Sequence, residues 1–257
     1  MSVVEEMFSL VDRTALVTGA SRGLGRAMAE ALAGAGADIV AVASKRSSDV
    51  DDLQDVVTRL GRSFTAYAVD LANRSALYAF LTDLQRDHPR IDILVNNAGT
   101  IIRRPALEHS DEDWASVIEL DVTVPFILAR EIGRGMVARR SGKIIFISSA
   151  LGLQGGFNVV SYTAAKTGLI GVTRALSNEW AALGVNVNAI APGYMATAFT
   201  HALRHDKARH DAILERIPAH RWGLPEDLAG VTVFLASRAA DYIHGSVVVI
   251  DGGWLAR

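Results

Sequence analysis

The stretch Thr14-Ala15-Leu16-Val17-Thr18-Gly19-Ala20-Ser21-Arg22-Gly23-Leu24-Gly25 decides the fold of this 257-residue chain. Its apolar first half predicts a strand, and a helical pattern begins at Leu24. The three glycines suit a tight turn, close approach of a pyrophosphate and close helix–strand packing, and the helix N-terminus offers free N–H groups to phosphates. The spacing is Gly-x3-Gly-x-Gly, and an ordinary βα turn is the alternative. Between a strand and a helix, the loop predicts a dinucleotide site.

The rest of the chain continues this alternation of strand and helix. The predicted strands are Thr14–Thr18, Asp38–Ala43, Phe64–Val69, Ile91–Asn96, Lys143–Ser148, Val185–Ala191 and Ser246–Ile250. The predicted helices are Leu24–Ala35, Val50–Leu60, Arg74–His88, Asp111–Arg139, Ser161–Leu183 and Pro225–Ala236. Largely apolar strands in βαβ units indicate an α/β fold, a doubly wound, seven-stranded parallel sheet with helices on both faces. We predict one Rossmann domain over residues 1–257, with the polar segment 194–223 as a substrate lid.

The composition excludes several function classes. The net charge is −2, from 26 basic and 28 acidic residues, so no nucleic-acid partner is expected. The chain has no cysteine, which excludes disulfides and thiolate chemistry. The N-terminus lacks the basic region of a signal peptide, and no apolar run is long enough to span a membrane, so we predict a cytoplasmic protein without a membrane partner. His201, His205 and His210 are closely spaced, but interleaved cations oppose a metal ion, and we predict no metal site.

The end of the second predicted strand bears on the choice between NAD and NADP. An acidic residue there would bind the adenine ribose hydroxyls and select NAD. This strand is instead followed by Ser44, Lys45 and Arg46, which together with Arg22 can receive a 2′-phosphate. A solvated basic loop is the alternative. The pattern favours NADP, with NAD as the second possibility.

A second constellation suits proton transfer. Tyr162 and Lys166 form a Tyr-x-x-x-Lys pair, and Ser149 lies thirteen positions before Tyr162. Residues four apart share one helix face, so the Lys166 ammonium is expected beside the phenol, where it lowers a pKa that is ordinarily about 10. Such a tyrosine exchanges protons near neutral pH, and the Ser149 hydroxyl can hold a substrate oxygen. The pair also occurs by chance in helices, so its weight depends on the rest of the chain.

Together these elements resemble the short-chain dehydrogenase/reductase superfamily over residues 14–253. Further shared motifs are Asn96-Asn97-Ala98-Gly99 after the fourth strand, Pro192-Gly193 and Thr197 after the sixth, and Asp251-Gly252-Gly253 near the end. The resemblance implies that NAD(P)(H) is bound by the glycine loop and by Asp70, Leu71, Asn97, Ala98, Gly99, Pro192, Gly193 and Thr197, with Tyr162 and Lys166 at the nicotinamide ribose. It also implies a homotetramer.

One position departs from the family pattern. Members usually carry an Asn in the helix after the Asn-Asn-Ala-Gly segment, where it helps a water chain reach the lysine. The corresponding residue here is Asp121. A carboxylate can pair with Lys166 and weaken its pull on Tyr162, or it can relay protons. A buried structural role in a helix kink is equally compatible with the sequence.

The resemblance extends to sugar-acid members, the 2-dehydro-3-deoxy-D-gluconate 5-dehydrogenase and gluconate 5-dehydrogenase families. It is carried by Asn186–Thr197, by Arg216–Gly223, by Asn178-Glu179-Trp180 and by the terminal Asp251-Gly252-Gly253-Trp254-Leu255-Ala256-Arg257. The basic end of the second strand departs from the first family, whose members tend to favour NAD. The implied reaction is alcohol–ketone interconversion on a small sugar acid. A 3-oxoacyl-carrier-protein reductase, or a non-catalytic dinucleotide sensor on the same fold, is the alternative.

Substrate residues are predicted from the edge of the sheet where ligands bind. Arg103 and Arg104 follow the Asn-Asn-Ala-Gly segment, and either can take a carboxylate in a bidentate fork. We predict Arg104 for this role and a surface position for the other. Gln154, Tyr194 and Trp222 offer polar groups and flat faces to a polyol, although packing roles would explain them equally well.

Overall fold

The computed structural model describes residues 2–257 and confirms the predicted fold. Its strands are β1 Thr14–Thr18, β2 Asp38–Ala43, β3 Phe64–Ala68, β4 Ile93–Asn96, β5 Gly142–Ile147, β6 Val185–Pro192 and β7 Val247–Ile250. All pair in parallel, in the order β3-β2-β1-β4-β5-β6-β7. The chain reverses its direction of strand addition between β1 and β4. In such sheets the ligand crevice lies at the carboxyl ends of the strands that flank this point.

Helices cover both faces of the sheet. They are α1 Val3–Phe8, α2 Gly23–Gly34, α3 Ser48–Arg59, α4 Arg74–Asp87, α5 Asp111–Ile118, α6 Val124–Ala138, α7 Leu151–Gln154, α8 Val160–Trp180, α9 His201–His205, α10 Lys207–Arg216 and α11 Ala229–Ala236. One hydrophobic cluster packs α2 and α11 on one face, and a second packs α4, α6 and α8 on the other. Within residues 2–257, no helix is both long and apolar enough to cross a membrane.

The prediction of one continuous helix over Asp111–Arg139 is wrong. A π-helical segment, Glu119–Thr123, separates α5 from α6. Pro125, the second residue of α6, has no N–H to donate to the preceding turn, which favours an irregular backbone there. Single π-turns inside helices frequently mark functional sites, and this one carries Asp121.

The segment predicted as a lid, residues 194–223, contains α9 and α10, which sequence periodicity did not reveal. A third hydrophobic cluster joins this segment to the end of the chain. Ile213 and Ile217 of the segment pack with Trp222, Ala150 and Trp254, all of them buried. The segment is therefore held against the C-terminus by its own apolar core.

Candidate active site

A cavity of about 1740 Å³ opens at the carboxyl ends of the central strands, beneath α9 and α10. The structure brings nearly every predicted site residue to its wall. The predicted residues that line it are Gly19, Ser21, Arg22, Gly23, Leu24, Gly25, Ser44, Asp70, Leu71, Asn97, Ala98, Gly99, Asp121, Ser149, Gln154, Tyr162, Lys166, Pro192, Gly193, Tyr194 and Thr197. Four predicted residues, Lys45, Arg46, Arg104 and Trp222, are absent from that lining.

The glycine loop is shaped by close backbone packing. Gly19 has φ 66°, in the region that favours glycine, and its N–H donates to the Val42 carbonyl at 2.8 Å. Asn97 anchors the loop from β4, since its Nδ2 donates to the Thr18 carbonyl at 2.9 Å. No side chain of residues 2–257 caps the N-terminus of α2 at Arg22. The first N–H groups of α2 are therefore left for an anion, and the loop fits a dinucleotide pyrophosphate.

A Gly25→Ala variant is expected to bind NADP(H) more weakly and to lose about 1–3 kcal/mol in the free energy of unfolding. A Cβ atom at this position would overlap the Gly19 carbonyl oxygen and lie 2.5 Å from Asn97 Nδ2. Gly34→Ala in the same helix is the control, because no heavy atom of residues 2–257 lies within 4 Å of its added Cβ apart from its chain neighbours and the adjacent backbone of its own helix. Denaturant unfolding and nucleotide titration measure both effects. Equal stability of the two variants would contradict the expectation.

The basic residues after β2 are only partly placed as predicted. Ser44 lines the cavity, and so does Arg22 from the glycine loop. Lys45 and Arg46 do not, which corrects the prediction for these two side chains. Arg46 pairs instead with Asp51 in α3, at 3.4 Å. All three residues of this loop are exposed, and only Ser44 is part of the cavity wall.

The Ser149, Tyr162 and Lys166 side chains meet at the cavity, as the spacing predicts. Tyr162 and Lys166 lie one turn apart in α8, and the Lys166 Nζ is 5.4 Å from the centre of the Tyr162 ring. Lys166 is 4% exposed, and its Nζ donates to the Ile147 carbonyl at 3.0 Å. Ser149 follows β5 and is also buried. The three side chains therefore form a preorganised set at the cavity wall, with Ser149 and Lys166 buried and Tyr162 partly buried.

The pKa of Tyr162 is displaced opposite to the sequence prediction. Burial raises the pKa of the phenol, and this effect outweighs the lowering by Lys166. The Asp121 carboxylate raises the pKa further, whereas Ser149 and Arg103 lower it. The predicted pull from Lys166 is present, but desolvation determines the direction.

Asp121 is fully buried in the π-helical segment and contacts the lysine. Its Oδ2 lies 3.1 Å from the Lys166 Nζ, and its Oδ1 accepts the Thr100 N–H at 2.7 Å. Burial raises the pKa of Asp121, against the lowering effects of Lys166 and Thr100. Burial disfavours the Lys166 ammonium, but the charges of Asp121 and Tyr162 raise its pKa overall. The departure from the family pattern thus places a carboxylate against the lysine.

Arg104 is not where the sequence prediction placed it. The Arg104 guanidinium pairs with Asp113 of α5 at 2.9 Å, and the Arg104 backbone N–H donates to the Asn158 carbonyl. Its neighbour Arg103 lines the cavity and donates to the Phe199 carbonyl at 3.0 Å. The alternation of side chains along the extended loop sends one arginine to the cavity and the other to α5.

The cavity residues that sequence reasoning missed include Arg204, Arg209, Arg216 and Trp254. Arg209 and Arg216 are seven positions apart in α10, a spacing that places them on one helix face. That periodicity was the available signal. Trp254 enters from the end of the chain, where nothing in the local pattern indicates a cavity position.

The cavity has an excess of positive charge. Its lining includes Lys166 and five arginines, but only three acidic residues, Asp70, Asp121 and Asp206. The five arginines are Arg22, Arg103, Arg204, Arg209 and Arg216. None of them forms an ion pair with a carboxylate of residues 2–257. The cavity is therefore suited to anionic ligands.

The histidines of the lid segment are engaged with each other and with an indole. The rings of His201 and His205 stack at 3.8 Å, and Nδ1 of His210 accepts from the Trp222 Nε1–H at 3.2 Å. Over the part of the chain that the structure describes, no group of three or more His, Cys, Asp or Glu side chains is placed to hold a metal ion.

Comparisons with known proteins place this chain among reductases and sugar-acid dehydrogenases. A family described as enoyl-(acyl carrier protein) reductase matches residues 19–255. A 2-dehydro-3-deoxy-D-gluconate 5-dehydrogenase of Pseudoalteromonas atlantica is 53% identical, over 98% of this chain and 99% of that protein. A crystal structure assigned as an NAD(P)-dependent gluconate 5-dehydrogenase from Beutenbergia cavernae, with NADP at low occupancy, is 47% identical with a TM-score of 0.93, covering 98% and 100% of the two chains. A gluconate 5-dehydrogenase from Burkholderia cenocepacia, solved with NADP and tartrate, is 33% identical with a TM-score of 0.93, covering 99% of each.

Proposed function

We propose that this chain, which belongs to the short-chain dehydrogenase/reductase family, interconverts a secondary alcohol and a ketone on a sugar acid with NADP(H). One observation carries the proposal: Ser149, Tyr162 and Lys166 meet in the same cavity as a phosphate-binding glycine loop and arginines that lack carboxylate partners. The names of the relatives at 53% and 33% identity, both dehydrogenases of sugar acids, support the substrate class.

In the direction of oxidation, Tyr162 takes the proton of the substrate hydroxyl as general base. Ser149 holds the same oxygen and stabilises its developing charge. Lys166 favours the phenolate, and its pairing with Asp121 keeps the ammonium at that place in the buried site. The bound nicotinamide supplies the hydride acceptor or donor. Arg103 lies close enough to lower the pKa of Tyr162, so it also favours negative charge at the reacting oxygen.

The cofactor preference is proposed to follow from Ser44 and Arg22. Both line the cavity where the second strand ends, and no acidic side chain occupies the position that would select NAD. The structures from Beutenbergia cavernae and Burkholderia cenocepacia contain NADP, which supports the same choice.

A Ser44→Asp variant is expected to lower the ratio of kcat/KM for NADP to that for NAD by at least about 10-fold. The introduced carboxylate would repel a 2′-phosphate and accept hydrogen bonds from ribose hydroxyls. Arg46→Ala is the control, because Arg46 pairs with Asp51 outside the cavity and should change the ratio by no more than about twofold. Initial rates with both nucleotides measure it. An unchanged ratio in Ser44→Asp would remove Ser44 from the cofactor site.

The test of the proposed function is a panel of initial rates. The substrates are 2-dehydro-3-deoxy-gluconate, gluconate and a 3-oxoacyl thioester, each with the NAD and NADP pairs, followed at the absorbance of the reduced nicotinamide. Turnover of a sugar acid is expected. Reduction of the thioester alone would favour the carrier-protein reductase alternative, which the description of the matching family supports.

Three further properties are proposed. The segment 194–223 serves as a substrate lid, since α9 and α10 supply part of the cavity wall. The lid belongs to a single domain of residues 1–257, of which Met1 lies outside the described residues.

The protein is a homotetramer, because α5, α6 and α8 expose Trp114, Phe126 and Val160, which are 43%, 38% and 40% exposed. A purely monomeric sedimentation profile would contradict this assembly. A cytoplasmic location stays a prediction from the sequence.

A further inference from the structure

Arg216 differs from the other cavity arginines in how firmly it is held. Its guanidinium lies 3.9 Å from the centre of the Trp254 ring, in a cation–π contact. Its Nη2 donates to the Gln154 Oε1 at 3.1 Å. All three side chains line the cavity. A guanidinium that packs on an aromatic ring keeps its N–H groups at its own edge, where a carboxylate can accept hydrogen bonds from them.

The Trp254 side chain that packs against Arg216 is itself held in place by its neighbours. Trp254 is 4% exposed and packs edge-on against Tyr194, with ring centres 4.6 Å apart. The Asp251 carboxylate holds the turn before it by accepting the N–H groups of Gly253 and Leu255, both at 2.8 Å.

Arg257 links the C-terminal turn that carries Trp254 to α10. Arg257 donates from Nε to the Arg216 carbonyl at 3.0 Å, and its Nη2 donates to the Glu215 carbonyl. The C-terminal segment therefore fixes both the indole and the backbone of the arginine that stacks on it. Little side-chain entropy remains to be lost when Arg216 binds an anion.

The other arginines near the lid are engaged differently. Arg103 donates to the Phe199 carbonyl, and Arg204 donates to the Thr197 carbonyl at 3.2 Å. Arg209, which is exposed as Arg216 is, makes no side-chain hydrogen bond to the described residues. Arg216 alone among these four combines an aromatic stack with an amide acceptor in the cavity wall.

Charge effects on two tyrosines locate Arg216 within the cavity. Burial raises the pKa of Tyr194, and Arg209, Arg216 and Arg103 all lower it. For Tyr162, Arg103 is the arginine that lowers the pKa. Arg216 lies over the Trp254 ring, which packs against Tyr194, so its guanidinium is on the Tyr194 side of the cavity. A sugar acid oxidised at carbon 5 carries its carboxylate at the opposite end of the carbon chain.

We propose that Arg216, held by Trp254 and Gln154, binds the substrate carboxylate and so selects sugar acids over neutral polyols. The inference rests on the proposed function and assigns its substrate specificity to one side chain. Arg103 then acts at the reacting end of the cavity, and Arg216 acts at the carboxylate end.

The test compares charged and neutral substrates. Arg216→Gln is assayed with 2-dehydro-3-deoxy-gluconate and gluconate, and with the primary amides of both acids. We expect kcat/KM for the acids to fall by about 10- to 100-fold, the range for a lost hydrogen bond to a charged group, and kcat/KM for the amides to change by no more than about twofold. Arg216→Lys keeps the charge but loses the planar fork, so it should recover only part of the loss.

The matched control is Lys207→Gln, in the same helix but outside the cavity lining, with the same change of charge. It should lower kcat/KM for the acids by no more than about threefold, the effect of an exposed charge. Thermal unfolding and NADPH binding, both expected to match the wild type, confirm that each variant is folded.

Several outcomes would overturn the inference. If Arg216→Gln retains wild-type kcat/KM for the acids, the carboxylate is bound elsewhere and the proposed function stands. If kcat/KM falls equally for the acids and the amides, Arg216 positions the lid and does not bind the substrate carboxylate. If Lys207→Gln causes the same selective loss, the effect comes from the overall charge of α10 and the assignment to Arg216 is wrong. If the wild-type enzyme turns over no sugar acid, the proposed function and this inference both fail.

Discussion

Tyr162→Phe should reduce kcat by about 10²- to 10⁴-fold in both directions of the reaction, the usual contribution of a positioned acid–base group. The variant keeps the ring that packs beside Lys166 and loses only the hydroxyl that exchanges the substrate proton. Because the glycine loop and Ser44 are untouched, NADPH binding should be preserved. Steady-state rates and nucleotide titration by fluorescence separate the two effects.

The control for this variant is Tyr242→Phe, which removes the same atom from a residue that is 99% exposed. It should be indistinguishable from wild type. Full turnover by Tyr162→Phe would contradict the proposed mechanism. Wild-type protein that binds nucleotide but shows no turnover, with biological activity that survives in Tyr162→Phe, would favour the dinucleotide sensor.

Lys166→Met should abolish detectable turnover and lower the free energy of unfolding by about 3–5 kcal/mol. The reason is the partner left behind: Asp121 is fully buried, and the Lys166 ammonium at 3.1 Å is its counter-ion. Removing one member of a buried pair leaves an uncompensated charge. Denaturant unfolding at pH 7 measures the loss of stability, and initial rates measure the loss of activity.

The double variant Lys166→Met/Asp121→Asn separates charge from packing. Since Asn carries no charge, we expect the double variant to recover most of the lost stability and none of the activity. If it is as unstable as the single variant, the loss comes from the methionine itself or from the lost bond to the Ile147 carbonyl. That result would contradict the ion-pair account.

The pH dependence of the free energy of unfolding tests the Asp121–Lys166 ion pair independently. Burial already raises the pKa of Asp121, and removal of Lys166 should raise it further. A carboxyl whose folded pKa exceeds its unfolded value, about 3.9, contributes stability below that value and loses it as pH rises through the folded pKa. Lys166→Met should therefore be least destabilised near pH 4 and most destabilised near pH 7. For the double variant, the change in the free energy of unfolding relative to wild type should be similar at pH 4 and at pH 7.

Much of this protein was predictable because it is encoded locally. Apolar runs placed β1 and β2 at their observed bounds, because strands buried on both faces need apolar side chains throughout. The glycine loop was predictable since close packing at Gly25 tolerates no side chain. The four-residue spacing of Tyr162 and Lys166 placed both on one side of α8, because helical periodicity is a property of the backbone alone.

Other features depend on contacts between segments far apart in the chain. Neighbouring arginines 103 and 104 are equivalent by composition, yet the partner Asp113 in α5 takes one of them out of the cavity. The direction of the Tyr162 pKa depends on burial as well as on Lys166, and burial is set by everything that packs around the phenol. Arg216 is oriented by Trp254 and Gln154, which lie 38 and 62 positions away. Backbone periodicity is local, whereas the direction of a long side chain and the solvation of a buried charge are set by neighbours that only folding brings together.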